Sequence, residues 1–263
     1  IFAAVLSLID PFLPLTEAIL DLVEVRLPEG TLVNPHHPAP VAAFYCVMTR
    51  VSESLVRAMA ALRPDLAVAG SYGDLQNTTG WGYHPETREE FIWYLFHCGG
   101  CGARATKDGL TGTRHMLANS RSESMEVWEK RYPVFYERLE VIRDSGGPGK
   151  YRGGLGMLRI FRLLSDTFIT MNSDRNVIPA PGVFGGQPGM TNRLTVIREG
   201  VERTVSERFD LPSPSKFTNI FLRKGDLLAF RLGGGGGYGG PLERALAKVE
   251  RDVPNGGVSF ERG

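Results

Sequence analysis

Arg104 stands four residues before Asp108, and Ser173, Asp174 and Arg175 follow directly on an apolar run. A guanidinium offers a planar fork of donors that fits a carboxylate or phosphate two-handed, and a nearby acid can aim or neutralise it. Each cluster suits the anchoring of an anionic substrate; each also suits an ion pair that ties loops together. A third candidate is residues 233–240, five consecutive glycines followed by Tyr238, Gly239 and Gly240. Such a run is costly in conformational entropy and contributes no packed side chain, so something there requires bare backbone. With free N–H groups on Gly235, Gly236, Gly237 and Tyr238, and a helix beginning near Pro241, the loop would cradle an anion. The other reading is a loop pressed against neighbouring backbone or a partner protein. It has neither the Lys-Ser/Thr ending of a phosphate loop nor dinucleotide-binding spacing.

Other chemistry-bearing residues are incomplete as sets. Cys98 and Cys101 have the C-x-x-C spacing of redox motifs and half a zinc knuckle, but only Cys46 remains to complete a ligand set. Small residues at a crowded turn account for them better. His36 and His37 are adjacent, and successive side chains of an extended segment alternate in direction. His84, His97 and His115 show no metalloprotease spacing, and no G-x-S-x-G is present. No metal ligands are assigned within the chain, and no catalytic constellation is complete in it. The chain alone is expected to be inactive.

The elements that position these residues follow from pattern. Residues 19–27 alternate imperfectly, as a strand would. From Val41, Tyr45, Met48, Ser52, Leu55, Met59 and Leu62 recur at helical spacing until Pro64. Residues 70–87 form a polar, glycine-rich connector. Residues 91–96 are continuously apolar or aromatic, which suits a strand covered on both faces. Beyond Pro133, residues 134–142, 157–164, 168–171, 193–198 and 201–205 are short β-compatible runs, with a hairpin tip at Glu199-Gly200. Residues 217–222 and 227–232 suggest a further hairpin across residues 223–226. Leu242, Ala245, Leu246, Val249 and Val253 have helical spacing, with Pro241 suited to a first helical position. These elements predict an α+β chain of mostly antiparallel β-sheets, a sandwich or open barrel, with a few helices. The division expected is a mixed part over residues 1–131 and a β-rich glycine-loop part with a C-terminal helix over residues 132–263.

The chain has 263 residues, 42% of them hydrophobic and 22% charged, enough to bury a substantial core. Its 30 basic and 29 acidic side chains leave a formal charge of +1, which predicts no bulk attraction to nucleic acid or an acidic membrane. No apolar run is long enough to span a bilayer. Three cysteines suit a reducing, cytoplasmic setting. Residues 1–8 lack the charged region and cleavage site of a signal peptide and resemble the tail of a helix that begins outside the chain.

Ordered stretches along the whole chain resemble the B-type subunit of the hydantoinase/oxoprolinase family. They are Leu27-Pro28-Glu29-Gly30-Thr31 with Asn34-Pro35 and Pro38-Ala39-Pro40; Gly99-Gly100-Cys101-Gly102-Ala103-Arg104 with Asp108-Gly109; and Tyr132-Pro133. Further along come Asp144-Ser145-Gly146-Gly147 with Tyr151-Arg152-Gly153-Gly154; Ser173-Asp174-Arg175; Gly185-Gly186-Gln187-Pro188-Gly189; and residues 233–244. The resemblance implies an ATP-dependent enzyme opening a small cyclic amide, in which ATP and Mg are held by an A-type partner subunit and the B-type subunit completes ring opening. Its relatives carboxylate ketones such as acetone and acetophenone, and a non-catalytic assembly module is a further alternative. The family's B-type subunits are longer, and the chain resembles their C-terminal portion; a divalent metal is then expected in the N-terminal half. Two departures are Gly240, where the family pattern has Asp, and Cys98 with Cys101, where other residues are usual.

Overall fold

A computed structural model describes residues 9, 10, 12, 14, 16–73, 76–115, 118 and 120–261. The expected helix tail at residues 1–8 lies outside the described residues. A short helix α1 (Glu17–Leu20) leads into an exposed, irregular arm that reaches helix α2 (Phe44–Met59). Strands β1 (Asn77–Tyr83) and β2 (Glu90–Leu95) come next, then helix α3 (Met125–Arg131) and strand β3 (Val134–Val141). Strands β4 (Met157–Leu163), β5 (Thr167–Asn172), β6 (Arg193–Arg198) and β7 (Val201–Thr204) precede helix α4 (Val205–Phe209). Strands β8 (Lys216–Leu222) and β9 (Leu227–Arg231), a 3₁₀ turn (Pro241–Glu243) and helix α5 (Leu246–Asp252) complete the order.

The strands form two antiparallel sheets, ordered β2-β1-β5-β8 and β3-β4-β9-β6-β7. Alternate side chains of both sheets meet in one apolar layer. Phe91, Trp93, Ile169, Met171, Phe217 and Leu222 from the first sheet face Phe161, Leu163, Leu194, Val196, Leu228 and Phe230 from the second. The α+β, sandwich-like expectation therefore holds, and the sheets do not close into a barrel. Trp128 of α3 packs edge-on to Trp93 at 5.6 Å between ring centroids. Ser124 starts α3 by accepting a hydrogen bond from Val127 N–H.

Several expectations are corrected. Residues 19–27 hold the end of α1 and largely exposed coil, and among the described residues no strand pairs with them to satisfy an extended backbone. Strand β2 is not covered on both faces: it is an edge strand with alternating burial, Phe91, Trp93 and Leu95 inside and Ile92 and Tyr94 outside. Strands β8 and β9 are not a hairpin, since β8 pairs with β5 while β9 lies between β4 and β6. Asp226 holds that crossing: it accepts from Arg223 N–H at 2.9 Å and from Arg198 at 2.8 and 2.6 Å. The expected polar connector contains β1. Gly80 belongs there because a Cβ would lie 2.1 Å from the Trp93 ring. The hairpin tip at Glu199-Gly200 is as expected, both residues having positive φ.

Candidate functional site

The glycine loops converge. Residues 233–237 are all buried, and none has positive φ, so their lack of side chains answers to space. A Cβ on Gly233 would lie 2.2 Å from Met190 O and one on Gly236 would lie 2.0 Å from Pro181 O. On Gly234 and Gly237 it would meet Ser145 O at 1.9 Å and Pro148 O at 2.1 Å, and on Gly235 it would meet Cys101 O at 1.9 Å. Every third residue thus faces the same neighbouring segment, the period of a polyproline II chain. A central strand surrounded on three sides by backbone tolerates glycine alone.

The N–H groups of residues 235–238 are taken up inside the protein. Gly235 donates to Gly154 O, Gly236 to Gly70 O, Gly237 to Gln187 O and Tyr238 to Tyr151 O, at 2.8–2.9 Å. Tyr238 Oη donates to Pro64 O at 2.7 Å. The loop is followed by a 3₁₀ turn rather than directly by a long helix. Gly235, Gly236, Gly237 and Tyr238 accordingly form a backbone bundle that holds neighbouring loops in place.

One of those loops carries Ser173, Asp174 and Arg175, which the structure does bring together. Arg175 adopts a left-handed backbone conformation, φ 57°, turning its side chain toward α2. Glu53 on α2 accepts from Arg175 Nη2 at 2.7 Å, Arg50 Nη1 at 2.5 Å and Ser71 N–H at 2.9 Å. Arg50 Nε lies 2.8 Å from Asp174 Oδ2. Ser173 Oγ donates to Asn176 Oδ1 at 2.8 Å and also touches Gln76 Oε1. Asn192 joins this loop to the bundle, donating to Asp174 O and Tyr72 O and accepting from Gly233 N–H at 2.6 Å.

Beside the ion-pair cluster lies a cleft of about 220 Å³ lined by Arg50, Glu53, Arg57, Val68, Gly70, Arg175, Pro181 and Val183. Three guanidiniums and the carboxylates of Glu53 and Asp174 leave this region with a formal charge of +1, suited to a small anionic or strongly dipolar group. Burial pushes the His115 imidazole down to about 4; Glu53 opposes the shift and Arg50 and Arg114 add to it. His115 is therefore neutral at pH 7. Burial pushes the Cys101 thiol up to about 11, so it stays protonated and is a poor nucleophile.

Arg104 and Asp108 do not pair with each other. Arg104 is exposed, on a turn bridged to Lys107 and Val68. Asp108 accepts from both Arg244 Nη groups, at 2.8 and 2.9 Å, and from Arg152 N–H at 2.8 Å. Arg244 also holds Asp252 at 2.6 Å, binding α5 to the glycine bundle. Sequence reasoning passed over Arg50 and Glu53, although a basic and an acidic residue three apart on a confident helix share one face. It could not have found Gln76 or Asn192, whose roles arise from tertiary contacts, up to 98 and 120 residues away.

The model of the family described as hydantoinase B/oxoprolinase matches residues 1–241. The chain belongs to the hydantoinase B/oxoprolinase family. Among curated relatives of this family, an uncharacterized protein of Methanocaldococcus jannaschii is 32% identical over 263 residues, covering 98% of this chain and 43% of its own length. The B component of a putative D-/L-hydantoinase from a Pseudomonas species is 30% identical over 250 residues, 95% of this chain and 40% of the relative. The chain thus spans about two fifths of the length of these two relatives. The structure of ATP-dependent caprolactamase from Pseudomonas jessenii superposes with a TM-score of 0.84 at 24% identity, over 99% of this chain and 45% of that one. An acetone carboxylase structure superposes with a TM-score of 0.77 at 21% identity, over 99% and 39%. At these identities both likenesses establish a shared fold.

Among the described residues, no three His, Cys, Asp or Glu are grouped to hold a metal ion. The N–H groups of residues 235–238 are likewise taken, so among the described residues neither this loop nor a carboxylate, thiol or imidazole cluster offers a built site for a nucleotide or a metal.

Proposed function

We propose that this chain is part of the B-type subunit of an ATP-dependent cyclic amide hydrolase and works with an A-type subunit that holds ATP and Mg. The observation that carries this reading is the family match over residues 1–241. A divalent metal, where one is used, belongs in this reading to the region by which the relatives exceed the chain. The chain's own contribution is positional. The glycine bundle and Asn192 fix the loop of Ser173, Asp174 and Arg175 against Arg50 and Glu53. That rigid wall orients a small substrate and keeps water from the cleft, and a fixed guanidinium favours negative charge developing on an amide oxygen. Asp108 serves the same wall through Arg244 and Arg152, and Arg104, at its exposed turn, serves as a rim cation.

The test is reconstitution of the whole B-type protein with its A-type subunit, with ATP hydrolysis measured against hydantoins, lactams and 5-oxoproline. Amide-dependent ATP consumption is expected. Arg175→Lys, which keeps the charge and loses the fork, is expected to raise KM roughly tenfold, the worth of about one charge-assisted hydrogen bond. Consumption that follows ketone plus bicarbonate and ignores amides would transfer the assignment to a carboxylase, whose fold this chain shares.

A further inference from the structure

The arm before α2 and the first turns of that helix enclose an open cleft of about 840 Å³. Its lining includes Leu27, Leu32, Val41, Phe44, Val47 and Met48, with no charged side chain and a single hydroxyl, that of Ser52. Leu32 is 80% exposed, and Val41 and Phe44 are each 75% exposed. Apolar surface on this scale marks a contact site. The same place leaves helix α2 uncapped: Ala43, in a left-handed conformation, offers no side-chain acceptor to the first-turn N–H groups.

We propose that this cleft seats an aliphatic segment from the region by which the B-type relatives exceed this chain. The uncharged lining disfavours a small anion or a nucleic acid and calls for an apolar occupant. The relatives supply one, since more than half of each lies outside the matched region. The superposition on caprolactamase takes in 99% of this chain and only 45% of that one, so a shared fold of this kind occurs within a protein of more than twice the matched length. Phe44, Val47, Met48 and Val51 stand at helical spacing on the first turns of α2, and Val41 adds an apolar side chain from the arm, which fits aliphatic anchors laid along the cleft. An acceptor on the same segment, a Ser, Asp or Asn side chain or a free carbonyl, completes the open end of α2.

This inference rests on the B-type reading, but its test measures association rather than turnover, so its failure would leave the hydrolase assignment standing. The chain is coexpressed with the portion of the Pseudomonas hydantoinase B component that lies outside the matched region, and hydrogen exchange is followed over residues 27–51. A complex is expected, with exchange there slowed at least tenfold. The double variant Val41→Asp/Phe44→Asp is expected to weaken association at least tenfold with an unaltered melting temperature, since both side chains are exposed. Ile92→Asp, on the solvent face of the four-stranded sheet, is expected to leave association as it was. Failure to form a complex, a complex with unaltered exchange over residues 27–51, or self-association that already protects them would each overturn the proposal.

Discussion

At the scale of the residue, the glycines of residues 233–237 are a steric requirement, and the requirement is measurable. In Gly235→Ala the new methyl group would lie 1.9 Å from Cys101 O, and that carbonyl belongs to backbone already bonded on both sides. Overpacking of this kind destabilises by about 3 kcal/mol or more. The thermal midpoint should fall by roughly 6–12 °C in a chain of this size, measured by calorimetry. Gly200→Ala is the contrast: nothing lies within 4 Å of its Cβ position, and only its positive φ opposes the change. The expected loss there is about 1 kcal/mol. Arg244→Met breaks the bidentate contact with Asp108 and the shorter contact with Asp252, leaving two largely buried carboxylates with only Arg152 N–H on Asp108 and the longer Arg152 Nε contact, 3.4 Å, on Asp252. A destabilisation of about 3–5 kcal/mol is expected in denaturant titration.

At the scale of the element, the sequence disclosed what local chemistry controls. Helix α2, β3, β4, β6 with β7, and the start of the C-terminal helical region all stand where period and turn residues place them. Strand β1 escaped notice because Gly80 and Gly82 dilute its pattern, and both are demanded by partners outside the strand: Trp93 across from Gly80, Asp166 O and Phe91 near Gly82. Strand β2 misled because Ile92 is itself part of an apolar row on the solvent face, Ile92, Trp81, Phe168 and Phe221 being directly paired from strand to strand. Of the candidate site, the loop of Ser173, Asp174 and Arg175 was legible, while its partners on α2 and the separation of Arg104 from Asp108 depended on tertiary contacts. The end of β2 also sets a pH dependence. His97 is fully buried, stacked on Phe230 at 4.1 Å, and burial together with Arg159 and Arg114 holds its imidazole well below the usual range. The unfolded chain binds this proton near pH 6.5 and the folded chain does not. The associated stability is complete above that pH and is lost as pH falls below it, so the denaturant midpoint should drop between pH 7 and 5. His97→Phe, which keeps a ring on Phe230, should reduce that slope, the remainder belonging to His115, whose imidazole burial also holds low. Asp108 and Asp226 act lower on the scale. Burial raises each carboxyl, but Arg244 and Arg198 respectively outweigh it and bring both below the ordinary value. Their contribution is present above about pH 4 and disappears on further acidification.

At the scale of the whole molecule, the sandwich core and the glycine bundle are two different kinds of interior. The first is built from side chains: Phe161 is fully buried and rests against Trp93, Tyr136 and Phe230. Phe161→Ala should cost about 3–5 kcal/mol, read from the denaturation midpoint with an unaltered slope. The second is built from backbone, and it gathers segments near residues 70, 101, 146, 153, 182, 187 and 235 around one axis. Those segments come from several separate parts of the chain, and the central run bonds to each of them. Each loop has to be closed, at an entropic cost, before the central strand can be enclosed. The centre therefore cannot be completed until residues 233–237, against which all these loops pack, have emerged from synthesis.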